Sequence, residues 1–165
     1  KGATVSYNIF FGSNTVLTME KIRNCPILAV PKEVVYKEPK EIVFPTNFKT
    51  SFKHRELQYL IEIAKISNAA IRILYISKSD ELTAEQENNK VLLEENFDGL
   101  TYSFHTLHNV DVNGGLSAFV ESRDSDMITF INRKHSFFGS IFSRPIVKDL
   151  GYHAKVPVLT LHDIN

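Results

Sequence analysis

Val156-Pro157-Val158-Leu159-Thr160-Leu161-His162 is a short β-prone run entered through an X-Pro step, and a helix-like stretch, Pro145 to Tyr152, precedes it. The same order of features occurs a second time. Cys25-Pro26-Ile27-Leu28-Ala29-Val30-Pro31 follows a helix-like stretch from Asn14 to Arg23. Internal similarity of this kind resets the count of structural units. It divides the chain into the tail of one repeat over residues 1–31, a joining segment over 32–40 and a complete second repeat over 41–165. The stretch Pro31-Lys32-Glu33-Val34-Val35-Tyr36-Lys37-Glu38-Pro39-Lys40 is bracketed by prolines and filled with charges, which is the composition of a linker. The chain opens on Lys1 rather than on methionine, so the sequence is expected to be a piece of something longer.

The second repeat alternates strand and helix. Ile42-Val43-Phe44, ended by Pro45, reads as strand one. Leu57, Leu60, Ile61 and Ala64 recur at helical spacing and predict a helix over His54 to Ser67. Ala70 to Ile76 is strand two, and Thr83 to Phe97 is a second helix, with Thr83 and Gln86 spaced for a capping box. After an Asp98-Gly99 turn, Thr101 to His108 forms strand three. Leu116, Phe119 and Val120 mark a third helix, entered after Asn113-Gly114-Gly115. Met127 to Ile131 is strand four, Pro145 suits the first position of a fourth helix, and Val158 to Leu161 is strand five. Strands separated by single helices imply right-handed βαβ units, hence an α/β fold whose parallel sheet is covered on both faces.

Composition narrows the function. The chain has 165 residues, 43% of them hydrophobic, enough for a real core. Lys plus Arg and Asp plus Glu number 19 each, so no electrostatic excess points to nucleic acid or an anionic membrane as partner. No apolar run is long enough to span a bilayer. Cys25 is the single cysteine, which excludes an internal disulfide and fits a reducing compartment, the cytoplasm by expectation.

Gly2 is followed by nine residues and then Gly12-Ser13, with Asn14 and Thr15 opening the helix ahead of the Cys25-Pro26 strand. With the strand–helix order above, this resembles the universal stress proteins, specifically those with two repeats in tandem, over essentially the whole length. The resemblance implies a three-layer Rossmann-like fold, adenine nucleotide alpha hydrolase-like, with a parallel five-stranded sheet of order 3-2-1-4-5. Such proteins commonly dimerise by pairing their fifth strands. The remnant's Ile27 to Val30 is therefore expected to add an antiparallel edge strand to Val158–Leu161, or else that edge pairs with the missing first repeat or a second copy.

Many relatives of this kind bind ATP through a G-x2-G-x9-G-[ST] loop after strand four, where glycine lets the backbone approach phosphate and Gly-Ser opens a helix toward the anion. The remnant keeps half of that motif in Gly2, Gly12 and Ser13. The complete repeat departs from it. Its glycine positions fall on Ile131, Lys134 and Arg144, and its serine position on Pro145, which offers neither amide hydrogen nor hydroxyl. Strand one in ATP-binding relatives usually ends in an aspartate, whereas Pro45-Thr46-Asn47 offers an amide. A degenerate site, if one persists, would draw on Pro45, Thr46, Asn47, Ile131, Asn132, Lys134 and Arg144.

Arg133, Lys134, His135 and Arg144 make the loop basic, either as an anion site built from side chains or as a solvated loop. Phe137, Phe138, Ile141 and Phe142 are too apolar for free solvent and are expected to fill the cleft or serve self-association. His105 and His108, three apart on a strand, point to opposite faces and make no metal pair. Cys25, ahead of a proline at a strand start, is expected to be buried. No catalytic set or metal site emerges. The expectation is a non-enzymatic stress-response module that acts by association and needs no cofactor. The alternative is an ATP-binding switch with at most slow hydrolysis.

Overall fold

The computed structural model describes residues 13–78, 81–133 and 155–163. Expectations for Gly2 and Gly12, for Lys134 to Arg144 and for the helix Pro145 to Tyr152 lie outside these residues, and of Ser13 only the backbone is described. The elements in chain order are α1 (Ser13–Lys21), β1 (Ile27–Ala29), β2 (Glu41–Thr46), α2 (His54–Ser67), β3 (Ala70–Ser77), α3 (Ala84–Asn96), β4 (Tyr102–His108), α4 (Val112–Ser122), β5 (Met127–Asn132) and β6 (Val158–His162).

The six strands form one sheet of order β1-β6-β5-β2-β3-β4. Read from the β4 end, the five strands β4, β3, β2, β5 and β6 run in the order 3-2-1-4-5, all parallel. β1 closes the edge antiparallel to β6, with Ile27 opposite Thr160, Leu28 opposite Leu159 and Ala29 opposite Val158. The sheet is therefore the expected one, added edge strand included.

Alternation along the strands sorts the core into two layers. On one face Leu57 and Leu60 of α2 and Leu93 of α3 pack with Phe97 on Ile42, Phe44, Ile71, Leu159 and Leu161. Phe44 meets Phe52 and Phe97 edge-on, at centroid distances of 5.4 and 6.3 Å. On the other face Val16 and Met19 of α1 join Leu116 and Phe119 of α4 over Val43, Leu74, Phe130 and Val158. The strand-one run of β2 is buried from Ile42 to Thr46, as a central parallel strand requires.

Local chemistry sets the helix ends. α2 stops at Asn68, which adopts a left-handed φ of 50°. At α3 Gln86 Oε1 accepts the Thr83 backbone N–H and Thr83 Oγ1 accepts the Gln86 backbone N–H, completing the capping box. The third helix departs from expectation. Asn113-Gly114-Gly115 do not precede α4 but form its first turn, because Asp111 is the cap and its Oδ1 accepts the Gly114 N–H at 2.8 Å. A Cβ on Gly115 would stand 2.8 Å from Val110 Cγ2, so glycine there lets the helix start lie close to its neighbour.

Two further expectations are corrected. Pro45 does not end strand one, since β2 runs on through Thr46 in register with β3, Pro45 opposite Leu74. The ladder to β5 joins only Ile42 to Met127 and Val43 to Ile128, so beyond Val43 a residue without an amide hydrogen costs no bond on that side. Cys25 is exposed, not buried, because β1 begins two residues later at Ile27 and the thiol lies in the turn before it.

The segment that leads into β2 is tied down at its end. Asp126 Oδ2 accepts the backbone N–H groups of Lys40 at 2.7 Å and Glu41 at 2.9 Å, and its other oxygen pairs with Lys37. Burial alone would raise the Asp126 pKa. The Lys37 bond and these two amides outweigh that and leave it lowered. Glu41 is bound more tightly still. Its Oε1 accepts from Arg123 Nε at 2.7 Å and Ser125 Oγ at 2.8 Å, and its Oε2 accepts from Arg72 Nε and Arg123 Nη2, both at 2.7 Å. Burial opposes ionisation, but the bonds from Arg123, Arg72 and Ser125 prevail and bring its pKa down to about 2.

Two outcomes follow from this architecture. Deleting residues 1–31 opens the β6 edge and should cause self-association or loss of solubility in light scattering; a monomer as stable as the parent would refute the structural role of β1. Glu41 has a folded pKa below its unfolded value, so its contribution is present above about pH 5 and is lost as pH falls toward 2. Glu41→Gln should cost about 2 kcal/mol at pH 7 and much less near pH 2, as read by urea titrations at the two pH values. The figure stays below the ~3 kcal/mol that the full shift converts to because Arg123 remains 32% exposed to solvent.

Candidate functional site

β2 has β3 on one side and β5 on the other, and its connections leave in opposite directions, so the strand order reverses there. In open parallel sheets the crevice at the carboxyl ends of such strands is where ligands bind. Pro45, Thr46 and Asn47 stand at the end of β2, and Ile131 and Asn132 at the end of β5. The structure thus brings these five to one end of two neighbouring strands, whereas Lys134 and Arg144 fall outside the described residues.

The β2 end is a locked turn. Thr46 Oγ1 accepts the Phe48 N–H at 3.1 Å, and Asn47 Oδ1 accepts the Lys49 N–H at 3.0 Å. Phe48 takes a left-handed φ of 56° between them. From α3, Gln86 Nε2 donates to the Asn47 carbonyl and Asn89 Nδ2 to the Phe48 carbonyl, each at 2.8 Å. Asn47 is only 1% exposed, and among the described residues its Nδ2 has no hydrogen-bond partner.

At the β5 end each residue has a protein partner. Ile131 packs, partly buried, against the α2–α3 core layer. Asn132 Nδ2 donates to the carbonyls of Met19 and Glu20 at 3.0 and 3.3 Å, closing the C-terminal turn of α1. Arg23 returns to it, Nη1 donating to the Asn132 carbonyl at 2.9 Å and Nη2 to its Oδ1 at 3.3 Å.

Arg133 differs from both readings of the basic loop. Its side chain is neither solvated nor directed at a free anion site. Nη2 donates to Glu56 Oε2 at 2.9 Å and to the Ser51 carbonyl at 3.0 Å, and the guanidinium lies 5.1 Å above the Phe52 ring. Glu56 is buried and also accepts the Lys53 N–H at 3.0 Å, capping α2. Sequence reading missed Glu56, Gln86 and Asn89 as parts of this region. Gln86 carried a signal as a capping-box residue, but its second bond spans 39 positions and no local pattern announces it.

Elsewhere, His105 bonds Ser103 at 2.8 Å and lies 5.0 Å from the Phe119 ring, a packing role. Among the described residues no group of three His, Cys, Asp or Glu side chains is placed to hold a metal ion. No helix among them is long and apolar enough to cross a membrane.

The layers, the strand order and the crevice define a doubly wound α/β protein of Rossmann-like type. Its fold is that of the universal stress proteins. One such protein from Archaeoglobus fulgidus superposes with a TM-score of 0.55 at 18% identity, covering 77% of this chain and 99% of its own. Another, from Archaeoglobus fulgidus DSM 4304, reaches 0.69 at 17% identity over 97% of this chain, which spans 59% of that longer protein. A universal stress protein solved in complex with cAMP matches at 0.55 and 18% identity over 76% of this chain and 98% of its own. No family model matches the sequence, and no curated protein matches it.

Removing one member of a buried ion pair strands the other. Arg133→Ala should therefore destabilise the protein by about 3 kcal/mol in chemical denaturation, with Glu56→Gln in the same background recovering part of the loss. A single variant within 0.5 kcal/mol of the parent would show that the pair is solvated instead.

Proposed function

We propose that the chain is a non-enzymatic universal stress protein module that acts in stress response through association, over a nucleotide cleft that has become degenerate. The observation that supports this most is the engagement of Asn132 and Arg133. A phosphate loop works by leaving amides and cations free toward the ligand. Here the Asn132 amide closes α1 and the Arg133 guanidinium neutralises Glu56. Asn47, at the place of the usual aspartate, spends its side-chain oxygen on its own turn.

The association surface proposed is the β1 side of the sheet. Leu28 and Val30 are half exposed there, and Val35 and Tyr36 stand out beside them from the joining segment. They border an apolar groove of about 580 Å³ floored by Met127, Val156 and Pro157. The proposed occupant is the first repeat of a tandem protein, or a second copy of the chain meeting it at the outer edge of β1, since β6 already has β5 and β1 as partners.

The rival reading, an ATP-binding switch with at most slow hydrolysis, draws on Asn47 Nδ2, a buried donor without a partner among the described residues at the crevice. Calorimetric titration with Mg-ATP decides between them. The proposal expects a dissociation constant in the millimolar range or weaker, no better than about −4 kcal/mol. Micromolar binding would overturn it in favour of the switch.

A further inference from the structure

At the end of β6, next to the end of β5, three elements meet around a small cavity of about 80 Å³. The turn between α1 and β1 contributes Arg23 and Cys25, the first turns of α2 contribute Arg55 and Tyr59, and the end of β6 contributes His162. That is several times the ~15 Å³ that one water needs, room for a small ion rather than for a nucleotide. We propose that this cavity is a binding site for a tetrahedral oxyanion, a phosphate group in the first instance, lined by residues other than those of the β2 turn.

The polar groups around it favour an anion. His162 is only 5% exposed, and among the described residues neither ring nitrogen has a partner within ordinary hydrogen-bond geometry. A buried imidazole with idle nitrogens is costly unless something occupies the space it lines. Its pKa is lowered, first by burial and then by the Arg23 guanidinium, against weaker opposing pulls from the Asn132 backbone and Asp163. At neutral pH it is therefore a neutral ring with one N–H to donate. Arg23 commits three N–H groups, two to Asn132 and one to Asp163, and a guanidinium has five, so two remain. The cavity also lies at the positive end of α2, a helix of 14 residues. Glu56 is the carboxylate in the wall, and its charge is already answered by Arg133 and the Lys53 N–H.

Cys25 is exposed at the rim and reports on occupancy. Inorganic phosphate is titrated into the full chain at constant ionic strength against chloride, following both melting temperature and the rate of Cys25 alkylation by iodoacetamide. Phosphate should raise the melting temperature and slow alkylation at least threefold, and Arg55→Ala and His162→Gln should each weaken the half-saturating concentration tenfold or more. Arg55 is on the helix surface, so its variant tests the site even if the buried His162 variant folds poorly. Phenyl phosphate is the second arm. Protection by both ligands assigns the site to phosphate groups in general, and protection by inorganic phosphate alone assigns it to the free ion. An unchanged alkylation rate up to 20-fold excess over chloride, or phosphate stabilisation that survives Arg55→Ala undiminished, would overturn the proposal.

Discussion

β6 is buried along its whole length, from Val158 to His162, and everything around it answers to that fact. A buried strand must satisfy two rows of backbone donors and acceptors. β5 takes one row in parallel register from Ile128–Val158 to Asn132–His162, and β1 takes the other in antiparallel register. Once β1 is fixed there, α1 is carried onto the same face as α4, and Met19 enters a core shared with Phe130 and Val158. The last turn of α1 then arrives over the end of β5, where Asn132 closes it. The side chain at the end of β5 is thereby committed to the helix that the edge strand brings with it.

Charge is distributed between the two ends of the sheet with different consequences. At the amino end Glu41 binds two guanidiniums and a hydroxyl, which fixes β2 against β3 and the start of β5. At the carboxyl end Arg133 and Glu56 bind each other, with the guanidinium over the ring of Phe52, joining the end of β5 to the start of α2. A buried pair of this kind contributes little net stability compared with an apolar pair of the same shape, but it fixes geometry, because either partner alone is severely penalised.

How much of this could be read from sequence depends on the range of the interaction. Leu57, Leu60, Ile61 and Ala64 gave the helix over His54–Ser67 with its observed bounds, because helical periodicity is a local property of the chain. The Thr83–Gln86 cap was equally legible. The strand order and the added edge strand came from resemblance, and no spacing in the chain dictates them. What escaped was non-local or a contest between neighbours. Asp111 outbid the glycines that follow it and began α4 early. Pro45 could stay in a strand because β5 had already parted from it. Arg133 looked like a loop cation since its partner lies 77 positions away. Of the seven crevice residues named from sequence, five reach the expected strand ends, yet what Asn132 holds could not be inferred without knowing where α1 lies.

The antiparallel closure also has a temporal side. β1 and the residues it pairs with are separated by about 130 positions, counted from Ala29 to Val158. At a synthesis rate of roughly 5–20 residues per second, β1 leaves the ribosome on the order of ten seconds before its partner strand exists. During that interval Ile27, Leu28 and Ala29 form a nascent strand without a mate, the kind of segment that recruits neighbouring chains. Pro26 and Pro31 flank it closely on either side. A ring that cannot donate to a ladder, placed at both borders, keeps the run too short to extend into an aggregate while leaving its three residues free to pair when β6 arrives.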